Sequence, residues 1–220
     1  RGGCDLVTFH GFARRSIALF WPALAGPAGF AHPMDEPTFL TIETTQYYMW
    51  QVVAPLMVQE GYFRDLAIRR ERLLSQLIDN LNKSALVGFA HTEIQHRLQA
   101  AWTGDAQRLA TYAQAQECAS RFRQYCLEHS LLDFSLVTEL FARHCQPHPL
   151  FEQSMQRQYR HLLVDDLDEN VPVAHRFVRW AAERMDSTVL AVDPEGGLRR
   201  FLGADAAGAR ELADLATERL

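Results

Sequence analysis

The sequence predicts an α/β protein that is predominantly helical, with a partial parallel sheet divided by a large inserted all-helical block. Three observations lead there. Two continuous apolar runs, Leu162-Leu163-Val164 and Thr188-Val189-Leu190-Ala191-Val192, each end in aspartate. Continuous rather than alternating hydrophobicity suits strands buried on both faces of a parallel sheet. A helical stretch separates the two runs, which implies a right-handed crossover. Finally, residues 41–130 read as helix almost without a break.

Taken in chain order, Leu6-Val7-Thr8-Phe9 predicts a short first strand, and Gly11 to Trp21 a helix ended by Pro22. Residues 23–37, rich in Pro and Gly, predict a loop. In the helical block Leu66, Leu73, Leu74, Leu77, Ile78 and Leu81 recur at helical spacing. Ala106 to His129 repeats the pattern through Leu109, Ala113, Cys118, Phe122 and Cys126. The aromatic and methionine run Tyr47, Tyr48, Met49 and Trp50 reads as core. Asp133 is placed to cap a helix from Phe134 to about His144. Helices from about Val173 to Arg184 and from Ala206 to Glu218 follow the two apolar runs. The expected sheet therefore gathers the strands around Leu6–Phe9, Leu162–Asp165 and Thr188–Val192.

Composition narrows the class. The 220 residues are 48% hydrophobic and 22% charged, which excludes a disordered tail, a collagen-like repeat and a small disulfide scaffold. A net charge of −5 gives no global basic field, so any nucleic-acid contact has to be local. Cys4, Cys118, Cys126 and Cys145 lack CxxC spacing and predict free thiols in a reducing, cytoplasmic setting. Cys145 and His148 have C-x-x-H spacing, but no second pair completes a zinc site. The chain starts at Arg1 without methionine and is expected to be a piece of a longer protein. Ile17 to Met34 contains no charged residue apart from its preceding Arg14-Arg15, a pattern shared with export signals and membrane spans. Pro22, Gly26, Pro27, Gly29 and Pro33 interrupt it, whereas a span needs about 20 mostly apolar residues.

Functional groups of a parallel sheet gather at the carboxyl ends of its strands. Asp165 and Asp166 stand there on one strand and Asp193 on the next. Two carboxylates after an apolar run form the Walker B arrangement, in which the first holds Mg²⁺ and the second orients the attacking water. Asp165 and Asp166 are thus the catalytic candidates, and Asp165 the metal ligand. A phosphate-binding loop needs G-x-x-x-x-G-K-[ST], yet Lys83 is the sole lysine and has no glycine before it. His91 and His96 miss the zinc spacing of H-E-x-x-H, and Arg69-Arg70-Glu71-Arg72 reads first as a solvated helix face.

The segments TFHGF (8–12), DFSLV (133–137), RHLLVDDLDENVP (160–172) and VLAVDPEGGLRRFLGAD (189–205) occur in an order that resembles UvrD/Rep-type superfamily I DNA helicases. The likeness runs from the TFH motif through motifs II and III of the first motor domain. It implies a RecA-like sheet of the P-loop NTPase type built from residues 1–40 and 131–220, with 41–130 as the inserted helical subdomain. It further implies that the parent protein uses ATP and Mg²⁺ to move along single-stranded DNA, without a membrane. Thr8 and His10 would touch the DNA backbone, and Phe201 would stack on a base. No cofactor is expected in this fragment, because family order places the phosphate-binding loop upstream of Arg1.

The departures from the family pattern are specific. Asp166 stands where the family has glutamate, and Leu167-Asp168-Glu169-Asn170 replaces F-Q-D-T. Gly196 occupies the place of a phosphate-sensing glutamine, and Leu202 that of an arginine. Together they imply a second possibility, a degenerate, ATPase-inactive homologue acting as a DNA-binding or scaffolding subunit.

Overall fold

Thr8 starts the first helix rather than closing a strand. Its Oγ1 accepts the Gly11 amide at 3.1 Å and its carbonyl accepts the Phe12 amide at 2.9 Å. This is an N-cap, and it opens α1 (Phe9–Leu24). The expected strand Leu6–Phe9 is therefore corrected: Phe9 is helical, while Leu6 is 97% exposed and pairs with no strand among the described residues. An apolar run can propose a strand, but a hydrogen-bonding cap fixed three residues ahead decides the local structure.

The computed structural model describes residues 3–104, 107–193, 195–196 and 203–218. These fall into two units, one of residues 1–20, 86–88 and 140–220, the other of 21–85 and 89–139.

In the first unit, Phe141 meets Phe9, Phe12, Phe151 and Phe177 at ring separations of 5.2 to 5.9 Å, mostly edge to face. Such pairs add to the burial of their own apolar area. The segment after α6 (Phe134–Leu140) continues as a single π turn, Phe141–Cys145, which presents Phe141 and Cys145 to this core. The helix expected to run from Phe134 to His144 is thus α-helical for its first half only. The next helix, α7 (Pro149–Gln158), is capped by His148, whose Nδ1 accepts the Leu150 amide. Burial pushes the Cys145 thiol up to about 12, so Cys145 is a core group and His148 a cap.

Next come β3 (His161–Val164), α8 (Pro172–Ala182), β4 (Ser187–Leu190) and α9 (Ala206–Ala213). The two strands pair in parallel, His161 opposite Ser187 and Val164 opposite Leu190. Leu162, Val164, Leu190 and Val192 lean on a small core of Leu167, Val178, Ala209 and Leu212. The reading of strands buried on both faces is corrected here: Leu163 is 72% and Val189 54% exposed. Each strand alternates exposed and half-buried positions, because helices α8 and α9 supply packing on one face only of the described pair.

In the second unit, Thr41 and Thr44 form a reciprocal capping box that opens α2 (Ile42–Gln59). Helix α3 (Arg70–Val87) buries Leu73, Leu74, Leu77, Ile78 and Leu81, the stripe its spacing predicts. Leu66 lies outside it, in irregular chain. Helices α4 (Ile94–Ala101) and α2 both pack on α5 (Gln107–Glu128). On α5 Cys118, Phe122 and Cys126 are buried, but Leu109 and Ala113 face solvent. Of the aromatic run only Met49 is fully buried, and Tyr47 is exposed.

A parallel pair of two-residue strands, β1 (Thr38–Phe39) and β2 (Leu131–Leu132), brackets the helical stretch. Two residues carry no periodicity, so nothing in the sequence announces this pair. Pro22 sits inside the last turn of α1, where only one helical hydrogen bond is forfeited. Trp21, Leu24, Ala25 and Phe30 are buried, and the Trp21 Nε1 donates to the Asp35 carbonyl at 2.7 Å. Among the described residues no helix is long and apolar enough to cross a membrane.

Candidate functional site

Strand β3 ends at Val164, and the chain turns at once. Asp165 Oδ1 accepts the Asp166 amide at 3.1 Å, and Asp166 takes the left-handed conformation at φ 49°, ψ 45°. Aspartate visits that region more readily than most residues because its short polar side chain bonds locally. The reversal leaves the side chains of both Asp165 and Asp166 exposed at the carboxyl end of the strand. A single 3-10 turn, Leu167–Glu169, then buries Leu167 completely.

Five hydrogen bonds pin this acidic turn. The Leu167 amide donates to the Ala191 carbonyl beyond β4, at 3.0 Å. The Asp193 amide donates to Asp168 Oδ1 at 2.9 Å. The Asn170 side-chain amide donates to the Asp166 carbonyl at 3.0 Å, and the Asp205 amide to the Asn170 carbonyl at 2.9 Å. His175 Nε2 lies 2.8 Å from the Leu167 carbonyl oxygen, which can only accept, so Nε2 carries the proton. Asp205 in turn caps α9 through the Gly208 amide at 3.1 Å.

Asp168 is the carboxylate that sequence reading missed as a working group. It is only 3% exposed, although a charged residue followed by Glu169 reads in sequence as solvent-facing. Its second oxygen occupies the space that any β-carbon at position 196 would take. Gly196 and Asp168 are therefore coupled: a side chain at 196 would force this carboxylate, and its bond to the Asp193 amide, to shift. Gly196→Ala is expected to cost about 1–3 kcal/mol, as overpacking of a filled site does. Urea unfolding checks it, and in an Asp168→Ala background the penalty should shrink, since the collision is gone.

The acidic turn brings the end of β3, with Asp165 and Asp166, against the end of β4 at Asp193. Thr8 and His10 are on a different element, the N-terminal turn of α1, with Thr8 exposed and His10 half-buried. Phe201 and Leu202 lie outside the described residues. Lys83 is exposed on α3, where helical backbone amides are already bonded and cannot cradle a phosphate.

A model for the UvrD/REP helicase N-terminal domain matches residues 3–215. The chain belongs to that family. No curated protein matches it. The family's helicases use ATP and Mg²⁺ and act on DNA. Among the described residues no group of three or more His, Cys, Asp or Glu side chains is arranged to hold a metal ion. Mg²⁺ commonly takes one or two carboxylates and completes its shell with water and phosphate oxygens. The exposed hard oxygens of Asp165 and Asp166 fit such a partial shell. A triphosphate cradle is a different matter, and these residues do not supply one.

Proposed function

We propose that the chain is the part of a helicase motor domain that carries the Walker B carboxylates and one stretch of single-stranded DNA track. In the full-length protein it would couple ATP hydrolysis to movement along DNA in the cytoplasm. The observation that carries this reading is the exposed Asp165–Asp166 pair at the carboxyl end of a parallel strand, in a chain of the UvrD/REP family. Asp165 is the metal carboxylate and Asp166 the group beside the attacking water. Thr8 and His10 lie at the positive end of a 16-residue helix, where phosphate is favoured. Phe201 supplies a base-stacking ring. That role comes from the family likeness alone, since Phe201 lies outside the described residues.

A second reading has its own support. With Asp168 filling the space beside Gly196, a glutamine cannot sense phosphate from that position, and Asp166 is one methylene shorter than glutamate. Both favour an ATPase-inactive homologue that keeps the DNA-binding or scaffolding role.

Two titrations on the 220-residue chain test the shared part. Fluorescent single-stranded DNA should bind weakly and lose affinity steeply with salt, as counterion release demands. Thr8→Ala with His10→Ala should weaken binding further and, because Thr8 also caps α1, cost about 0.5–2 kcal/mol of stability; an unaltered Kd in that still-folded variant contradicts the assigned track. Fluorescent ATP with Mg²⁺ should show no saturable binding at micromolar concentrations, because the phosphate cradle is missing.

A further inference from the structure

We propose that His175 is a positioning residue for the acidic turn, acting as a hydrogen-bonding clamp on the Leu167 carbonyl. The proposal rests on the reading of Asp165 and Asp166 as the metal-side carboxylates. His175 sits in the first turn of α8, directly after Pro172 sets that helix in place, and it is 6% exposed. Its Nε2–H donates to Leu167, the residue that follows the two carboxylates. The Leu167 carbonyl also accepts the Asn170 amide at 3.1 Å, so both of its lone pairs are used. Leu167 is the one apolar anchor of the turn and it is wholly buried. Holding its carbonyl holds the 3-10 turn that directly follows Asp165 and Asp166.

On its other side the ring is confined by packing rather than by a hydrogen bond. Nδ1 is buried without a hydrogen-bond partner and faces Asp205 Oδ2 at 3.8 Å. Gly208 of α9 closes the remaining space, for a β-carbon there would lie 2.8 Å from Nδ1. The ring is therefore wedged between α9 and the turn, with a single direction left for its donor. A histidine that merely filled core volume would need no donor aimed at a loop carbonyl. The 3-10 turn and the start of α9 both meet this side chain of α8.

Two substitutions of similar bulk separate clamp from filler. His175→Gln places an amide donor close to the position of Nε2, whereas His175→Leu fills the space and donates nothing. Amide hydrogen exchange at Leu167 and Asp193, measured by NMR, reads the turn directly, with Val178 of α8 as the internal reference. The clamp predicts exchange about five- to tenfold faster in His175→Leu, the loss of one hydrogen bond, and near wild-type rates in His175→Gln. Equal rates in the two variants, or wild-type rates in His175→Leu, overturn it. Manganese titration of the wild-type chain is read separately, as broadening of the Asp165 and Asp166 signals. A wild type without broadening contradicts the metal reading, while the exchange contrast alone decides the clamp.

Discussion

Replacing Arg123 with alanine is expected to lower the stability of the fold by about 3–5 kcal/mol, the cost of leaving buried charge uncompensated. Arg123 is 4% exposed on α5. Its guanidinium donates to Asp133 at 3.3 Å and to Ser135 Oγ at 2.9 Å, and it lies 3.5 Å from Glu139. Ser135 Oγ donates in turn to Asp133 Oδ2 at 2.7 Å, and Asp133 Oδ1 caps α6 through the Leu136 amide at 2.9 Å. Two carboxylates, one hydroxyl and one helix N-terminus therefore depend on a single cation. Removing it strands the Asp133 carboxylate where water cannot reach it and leaves the partly buried Glu139 without this cation. At roughly 2–4 °C per kcal/mol for a chain of this size, melting should fall by some ten degrees. Differential scanning calorimetry and urea midpoints check it, and a loss below about 1 kcal/mol would place Arg123 among ordinary surface ion pairs. Arg123→Lys should recover only part of the loss, because an ammonium cannot serve three acceptors in the guanidinium plane.

The cap at Asp133 was legible in the sequence, but its cation was not. Asp followed by an apolar helical pattern is a local signal, readable within four residues. Arg123 lies ten residues back on another helix, and nothing in its neighbourhood marks it as buried. The same division holds throughout. The stripe of α3 and the parallel partners β3 and β4 follow from periodicity and apolar runs, both local properties. The strand expected at Leu6–Phe9 was lost to a cap that uses the same residues, since Thr8 suits either role until the Gly11 amide is placed. Burial of β3 and β4 was overread, because an apolar run tells what a strand can tolerate and not which face is covered.

In the site, Asp165 and Asp166 were visible as a motif. Their supports were not. Asp168, His175, Asn170 and Asp205 become a network only when α8 and α9 fold back on the turn, and no spacing rule connects residue 168 to 196 or 175 to 205. Gly196 was noticed as a departure from its family. In the structure, the space a β-carbon would need at that position is taken by Asp168.

The second large effect concerns Asp165. If its carboxylate holds the nucleotide's Mg²⁺, Asp165→Asn keeps the size and the local bond to the Asp166 amide but removes the charge that binds the ion. A bound cation supplies several kcal/mol of charge stabilisation to phosphoryl transfer, so at 1.36 kcal/mol per decade the expected loss is on the order of a thousandfold in rate. The fold should be unaffected, since Asp165 is exposed and its hydrogen bond survives in asparagine. Raised Mg²⁺ should not restore the rate fully, because the missing group is a ligand.

ATP hydrolysis by the full-length protein, measured with and without single-stranded DNA for wild type and Asp165→Asn, tests the motor reading most directly. The account predicts hydrolysis that rises with single-stranded DNA in the wild type and falls on the order of a thousandfold in the variant. Wild-type hydrolysis at background, or a wild-type rate in Asp165→Asn, would contradict it.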